Sequence, residues 1–514
     1  MKISKIFLMS SVMTFISRVF GFIRDVVIAS IFGTGIYTDS FFVSFRIPNL
    51  LRRIFAEGAF SQIFIPILVK YRNNLGDEKA KIFASCIFKW LSLFLILITM
   101  VGIIISPEIV MLIAPGFINN TDQFVLTVSL LRILFPYIIL ISLSSLLTSI
   151  LNSWNYFFIS FLSPVFLNIS IIFFSLYIVP LLNNNSIIAL SWAVLIGGSV
   201  QLFSHFLYLR YIGIKINNFQ LYQPDIKKIF ILILPAVFGA SVNQLLISIN
   251  TAISSFLSPG SISWMYYADR IVEFPIGIFG ASITGILLPL LSESVYKNQK
   301  KKYSDILHWS IKICFFLILP SSLILLYLSK PLVITLFKYK NFSNFDVFMT
   351  QKSLIGYSIG LTGLILVKIF TLSFYSIQNF KTPIYIAIIS IIISQFMNLI
   401  LVKYFQHAGL SLSIGITSYI NAFLLYLNIK KRLFLIKKFN IKKFFMQLLF
   451  GLTIMFLTIF YLSCFIKNWE YGNIFFRLFR ICCIIFISVT MYFFSLFLIG
   501  FNFKKIFNIS HYKN

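Results

Sequence analysis

Acid is scarce in this chain. Across 514 residues there are 14 Asp and Glu against 43 Lys and Arg, a formal charge of +29, and charged residues of both signs make up only 11%. Histidine is scarcer still: His205, His308, His407 and His511 have no metal-ligand spacing among them, so no metal site is expected. The five cysteines, Cys86, Cys314, Cys464, Cys482 and Cys483, lie in apolar runs without CxxC spacing, which excludes a disulfide framework and a zinc site. No GxxxxGK[ST] loop, DxD pair, HExxH or GxSxG is present, so ATP hydrolysis and hydrolytic chemistry lack their usual parts. The segments between apolar runs, near 71–81, 106–123, 211–227 and 330–346, are too short to form a soluble catalytic domain. Asp77 and Glu78 are adjacent acids in one of them, but DEKA reads as a solvated turn rather than a transferase carboxylate pair. No cofactor is implied.

What is abundant is apolar surface: 59% hydrophobic residues, 61 phenylalanines and a mean hydropathy of +0.94. A soluble fold of this length could not bury that much, so the chain is an all-α polytopic membrane protein. A helical span needs ~20 mostly apolar residues. By that measure there are about fourteen spans, centred near residues 17, 50, 93, 138, 169, 198, 241, 277, 317, 360, 393, 419, 455 and 488. Strands are excluded by run length and by the lack of alternation. The opening MKISKIFLMSSVMTFISRVF resembles a signal peptide, but Arg18 ends its apolar run and no small-x-small cleavage site follows, so it reads as a retained span. Gly33, Gly35 and Pro48 interrupt the first two spans, and such breaks survive in a membrane only where protein or water satisfies the freed backbone.

Sorting the connecting segments by odd or even count puts 25 basic residues on one side and five on the other. By the positive-inside rule both termini are cytoplasmic, in a cytoplasmic (inner) membrane. The charge is topological, and no nucleic-acid partner is expected. One segment departs from the pattern: Asn152–Phe157 should lie inside yet carries no basic residue.

Thirteen basic residues remain within or at the edges of spans, and Arg18, Arg24, Arg46, Arg52 and Arg53 crowd into the first two. This region has an internal echo: Arg46-Ile47, Ile54-Phe55 and Pro66 match Arg270-Ile271, Ile278-Phe279 and Pro289 at offsets of 224, 224 and 223. Six spans with loops occupy about that length, so the expected architecture is two six-helix lobes, 1–215 and 225–435, around a central cavity, with two extra C-terminal spans in 440–503. Transporters built from such repeats commonly bind substrate between them.

A charge facing lipid at a span's centre costs roughly 2.5 to 3.5 kcal/mol on insertion scales, so these residues must meet water, a partner charge or a ligand. Arg53 and Glu57 are spaced i, i+4, Arg270 and Glu273 i, i+3, and Asp39 and Arg46 i, i+7, so each pair shares a helix face and can neutralise itself. For Arg53, Glu57, Asp25 and Asp269 a structural pair along a wet seam is as good an account as a ligand site. Pairing leaves arginine in surplus, since Arg52 points about 100° away from the Arg53 face and Arg18 with Arg24 outnumber Asp25. Guanidinium forks suit phosphate, which points to an anionic, phosphorylated substrate. Lys352 and Lys368 either extend this basic lining or snorkel to an interface, while Lys89, Arg132, Lys312, Arg477 and Arg480 read as snorkelling or packing residues.

The stretches SRVFGFIRD (17–25), TDSFFVSFRIPNLLRRIFAEGAFSQIFIPIL (38–68), WMYYADRIVEFPIGIFG (264–280) and HAGLSLSIG (407–415) closely resemble the MurJ (MviN) family of lipid II flippases, in the multidrug/oligosaccharidyl-lipid/polysaccharide exporter superfamily. The resemblance spans nearly the whole chain and fades over the last two spans. It implies two six-helix lobes around a cationic cavity, a lipid-tail groove formed by the two added helices, and translocation of the undecaprenyl-pyrophosphate-linked peptidoglycan precursor to the outer leaflet. It also implies that Arg18, Arg24, Arg52 and Arg270 correspond to arginines the family needs; by the pairing argument above, Asp25, Asp39, Arg46, Arg53, Glu57, Asp269 and Glu273, with Lys352 and Lys368 if they extend the basic lining, are the surrounding cavity charges. The partners would be that lipid-linked precursor and membrane lipids, and a monomer suffices. Some relatives use a sodium site with carboxylates on the seventh and eleventh spans, but ILPAVFGASVNQ and IAIISIIISQFMN contain no acid, so sodium coupling is not expected. The alternatives are an exporter of another polyprenyl-pyrophosphate-linked oligosaccharide, which shares the pyrophosphate, and a multidrug-type cation exporter, which should carry surplus acid.

Overall fold

The structure, a computed structural model, describes residues 3–52, 59–182, 186–214, 244–433, 441–466 and 468–503. Every regular element among them is helical, as a bilayer requires of a chain whose backbone groups must be satisfied within each segment. Among the described residues ten helices are long and apolar enough to cross a membrane, and an eleventh candidate, Ser261–Gly280 with Gly285–Tyr296, is bent by 42°. About fourteen spans is compatible with this. The first expected span falls on the charged helix α1 (Ile3–Phe32), and the second on α2 (Ile36–Arg52) with α3 (Ala59–Leu75). The seventh ends in α11 (Gln244–Ser254), preceded by residues outside the described ones.

The chain forms two compact units, Met1–Ser263 and Trp264–Asn514. In the first, α4 (Asp77–Ile104), α6 (Thr121–Leu134), α7 (Tyr137–Ser153), α9 (Pro164–Phe173) and α10 (Ser186–Tyr211) join the helices named above; the short α5 (Ser106–Ile113) and α8 (Phe158–Leu162) connect them. Gly33 ends α1 with φ +64°, a left-handed conformation that L side chains adopt at a cost, and its N–H closes on the Ala29 carbonyl at 2.9 Å. A serine fixes α2 on α6, the Ser44 hydroxyl donating to the Thr127 carbonyl at 3.0 Å. Leu131, Phe135, Leu146, Leu147 and Ile150 are fully or almost fully buried in the core beside it.

The second unit contains α12 (Ser261–Tyr296, with its first turn in the other unit), α13 (Lys300–Tyr327), α14 (Ser329–Phe337), α15 (Asn344–Ser376), α16 (Lys381–Phe405), α17 (His407–Leu433), α18 (Ile441–Cys464) and α19 (Ile474–Leu498). A capping box opens α15, Ser343 and Asp346 each bonding the other's backbone N–H. Small residues let α15 and α17 touch: a Cβ at Gly360 would lie 2.2 Å from the Gly415 Cα, and the Ser418 hydroxyl reaches the Gly360 carbonyl at 3.0 Å. On α16, Ser390, Ser394 and Asn398 are buried at four-residue intervals while Phe396 and Leu399 are 64% and 75% exposed. Polar residues inside and large apolar ones outside is the arrangement a lipid solvent selects. The α18–α19 hairpin packs on α13, where the Tyr492 hydroxyl donates to the Phe316 carbonyl at 3.0 Å and the Phe316 ring meets Phe493 and Phe501.

Candidate functional site: membrane-embedded arginines

Arg24 sits in the middle of α1, 8% exposed, beside Asp25 at 1%. Its Nε and Nη2 both donate to one oxygen of Asp25, at 3.0 and 2.7 Å, and its Nη1 donates to Asn168 Oδ1 on α9 at 3.1 Å. The surplus arginine foreseen on this span is therefore held by one carboxylate and one amide. Arg18 is exposed. Six residues at 100° each put it about 120° around α1 from Arg24, so the helix alone does not bring the two guanidiniums to one face.

On α2, Asp39 and Arg46 share a face as their spacing predicts, but Arg46 also reaches α11 and Asp39 the start of α12. Asp39, 2% exposed, accepts from the Gly260 N–H at 2.6 Å, the Ser263 N–H at 2.8 Å and the Ser263 hydroxyl at 2.5 Å. It thereby supplies an anionic cap for the first turn of α12, where unpaired backbone N–H groups and the helix dipole favour negative charge. Arg46 donates to the Thr251 hydroxyl. Nearby, the Gly116 N–H bonds the Ser255 hydroxyl at 2.9 Å, and a Cβ at Gly116 would lie 2.2 Å from the Ser255 carbonyl oxygen, so glycine is needed for that approach. Arg52 ends α2 and its side chain is outside the described residues, as are Arg53 and Glu57.

In the second unit Arg270 makes the ion pair its spacing predicts, Nη1 to Glu273 at 2.6 Å, and its Nη2 donates to the Tyr266 hydroxyl at 3.0 Å. The guanidinium also stands 4.9 Å from the Tyr266 ring centroid. Asp269 is exposed. Lys368 runs to α12, its Nζ 3.3 Å from where a Gly280 Cβ would stand. Lys352 is exposed and lies over its own helix's Phe348 ring at 4.3 Å. Arg477 and Arg480, expected to snorkel or pack, bind the carbonyls of residues 468–472: Arg477 that of Gly472, Arg480 those of Asn468, Trp469 and Tyr471.

Among the described residues no three His, Cys, Asp or Glu side chains gather as metal ligands would. His205 is buried between Thr148 and the Gln201 carbonyl, and His407 bonds the Met349 carbonyl and packs on Trp264. Sequence reasoning missed the neutral partners Asn168, Thr251, Ser263 and Tyr266. For Asn168 there was a signal, an amide within the otherwise apolar run PVFLNISIIF; hydroxyl residues are too common in spans to stand out.

A polytopic helical bundle with ion-paired arginines in its membrane helices has the architecture of a transporter of the exporter superfamily. Solved structures agree. The fold matches "Lipid II flippase MurJ, inward closed conformation" with a TM-score of 0.79 and 26% identity, covering 95% of this chain and 100% of that one. It also matches an inward-facing multidrug transporter of the MATE family and MOP superfamily, with a TM-score of 0.67 at 16% identity over 81% and 94% of the two chains, a likeness of fold alone. The family model described as "Lipid II flippase MurJ" matches residues 28–480. The probable lipid II flippase MurJ of Buchnera aphidicola subsp. Acyrthosiphon pisum (strain APS) is 47% identical over 423 residues, 82% of this chain and 83% of its own. Its counterpart from Buchnera aphidicola subsp. Baizongia pistaciae is 43% identical over 514 residues, the whole of both chains, and the lipid II flippase MurJ of Burkholderia cenocepacia is 40% identical over 424 residues, 82% of each. The chain belongs to the MurJ lipid II flippase family.

Proposed function

We propose that this protein translocates lipid II, the undecaprenyl-pyrophosphate-linked disaccharide-pentapeptide, from the cytoplasmic to the outer leaflet of the inner membrane by alternating access. The pyrophosphate docks on Arg18, Arg24, Arg52 and Arg270, the sugar-peptide headgroup occupies a wet cavity between two six-span lobes, and the tail stays in lipid along α18 and α19. The observation that carries this is the paired design of Arg24 and Arg270. Each is held by one acid from its own helix and one neutral hydrogen-bond partner, which fixes the planar fork that a diphosphate needs. The protein acts as a transporter and carries out no bond chemistry on its cargo. Carrying negative charge out of an inside-negative cell is downhill by ~2.3 kcal/mol per charge per 100 mV, so the membrane potential biases the cycle to the extent that the arginines leave the cargo charged.

Cytoplasmic termini follow from the 25-to-five asymmetry, and Arg72 supports them at the turn that lacks a basic residue. Its Nη1 donates to the Ser153 carbonyl at 3.2 Å and its guanidinium stacks 5.1 Å from the Trp154 ring centroid, so α3 supplies the charge that Asn152–Phe157 lacks. The test is replacement: cells depleted of their own lipid II flippase should grow when this chain is expressed at membrane levels matched to a working relative. Lysis despite matched levels rejects the proposal.

A further inference from the structure

We propose that Asn168 is a positioning residue for Arg24, setting the direction in which the guanidinium presents itself to the diphosphate. The inference rests on the reading that Arg24 contacts that group. Arg24 Nε and Nη2 converge on a single Asp25 oxygen, a contact that by itself sets the distance of the guanidinium from Asp25 more firmly than its direction. The second anchor is Asn168, which meets Nη1 from a different helix, 144 residues away in sequence.

Three observations make this a built contact. Asn168 is 6% exposed, so its amide is committed to protein partners. Its Nδ2 donates to the Ser17 carbonyl at 3.4 Å while its Oδ1 accepts from Arg24, and no other amide orientation places an acceptor before a guanidinium and a donor before a carbonyl. And α1 carries Gly21 where Asn168 approaches, the two amide atoms lying 3.6 and 3.9 Å from the site of a Cβ. One side chain thus bonds α1 at Ser17 and at Arg24, on either side of Gly21, and ties the guanidinium to the register between α1 and α9. A neutral partner suits the role: a second carboxylate would make the Arg24–Asp25 cluster net negative toward an anionic diphosphate, and an aliphatic residue would remove the acceptor that Nη1 meets.

The test measures binding of undecaprenyl pyrophosphate and undecaprenyl monophosphate to the full-length protein in nanodiscs, for wild type, Arg24→Gln, Asn168→Asp, Asn168→Ser and the double variants with Arg24→Gln. Asn168→Asp should weaken pyrophosphate binding at least tenfold and Asn168→Ser about three- to tenfold. Both should lower the ratio of pyrophosphate to monophosphate affinity, which mere loss of stability would leave unchanged. In the Arg24→Gln background either change should add less than twofold. Asn168 variants that bind as wild type, or whose effects persist in full without Arg24, overturn the inference while leaving Arg24 as a contact. If Arg24→Gln itself binds as wild type, the reading of Arg24 falls and the inference with it. Should Asn168→Asp fail to elute as a single species, Asn168→Ser decides by the same criteria.

Discussion

Replacing Asp39 by Asn removes one charge and reverses one hydrogen-bonding atom at a site that is 2% exposed. The carboxylate accepts from two backbone N–H groups and one hydroxyl, at 2.6, 2.8 and 2.5 Å. An amide oxygen can keep the Ser263 pair as ordinary hydrogen bonds, but its NH2 then faces the Gly260 N–H, donor against donor. Hydrogen bonds to a charged group contribute roughly 1.5 to 3 kcal/mol against about 1 for neutral ones, so losing one and weakening the others should destabilise this junction by about 2 to 3 kcal/mol. At 1.36 kcal/mol per decade that is roughly a 30- to 150-fold rise in the open population. Hydrogen exchange read by mass spectrometry on peptides covering residues 258–266, in protein reconstituted in nanodiscs, reports that population directly. The exchange rate there should rise by that factor while peptides from α15 and α17 stay unchanged. A change below threefold at 258–266 would show that the Asp39 contacts do not hold the start of α12, and the capping argument would fail.

Gly360→Ala pushes a methyl to 2.2 Å from the Gly415 Cα and should cost 3 kcal/mol or so, read as a lowered melting temperature in detergent, whereas Gly285→Ala, with nothing within 4 Å, should be neutral to mildly stabilising. Arg24→Lys and Arg270→Lys keep the charge but lose the fork, so each should lower flipping in a reconstituted vesicle assay at least tenfold; full activity in both would reduce the arginines to an electrostatic wall. Dissipating an inside-negative potential in the same vesicles should slow flipping, and unchanged rates would remove the potential as a driver. Arg72→Gln should lose about 1 kcal/mol through its carbonyl and ring contacts, while Asp77→Asn should lose under about 0.5, because that pair is largely solvated; equal losses in thermal stability would contradict this division.

Much of the charged site was legible in the linear sequence, because a guanidinium in an apolar run announces that something must compensate it. The Arg270–Glu273 pair followed from spacing within one helix, where geometry is local and fixed. Asp39 shows the limit: spacing related it to Arg46, but its carboxylate also caps a helix start 221 to 224 residues away, and no local rule reaches that far. Tyr266 was invisible, and the Asn168 amide left only a faint signal, for a different reason. A neutral polar side chain in a span carries little penalty, so its presence implies no partner until the partner is seen. The Arg72 contacts with Ser153 and Trp154 were not legible because α3 and the end of α7 are distant in sequence.

The sequence by itself determined the solvent, the secondary structure and the family, since all three depend on composition, span length and motifs that are read locally. Tertiary structure decided which groups of other helices hold Arg24 and Arg46, which acid caps α12, and which glycines permit helix contact. Those outcomes depend on distances between helices far apart along the chain, set by how their faces pack rather than by any single segment.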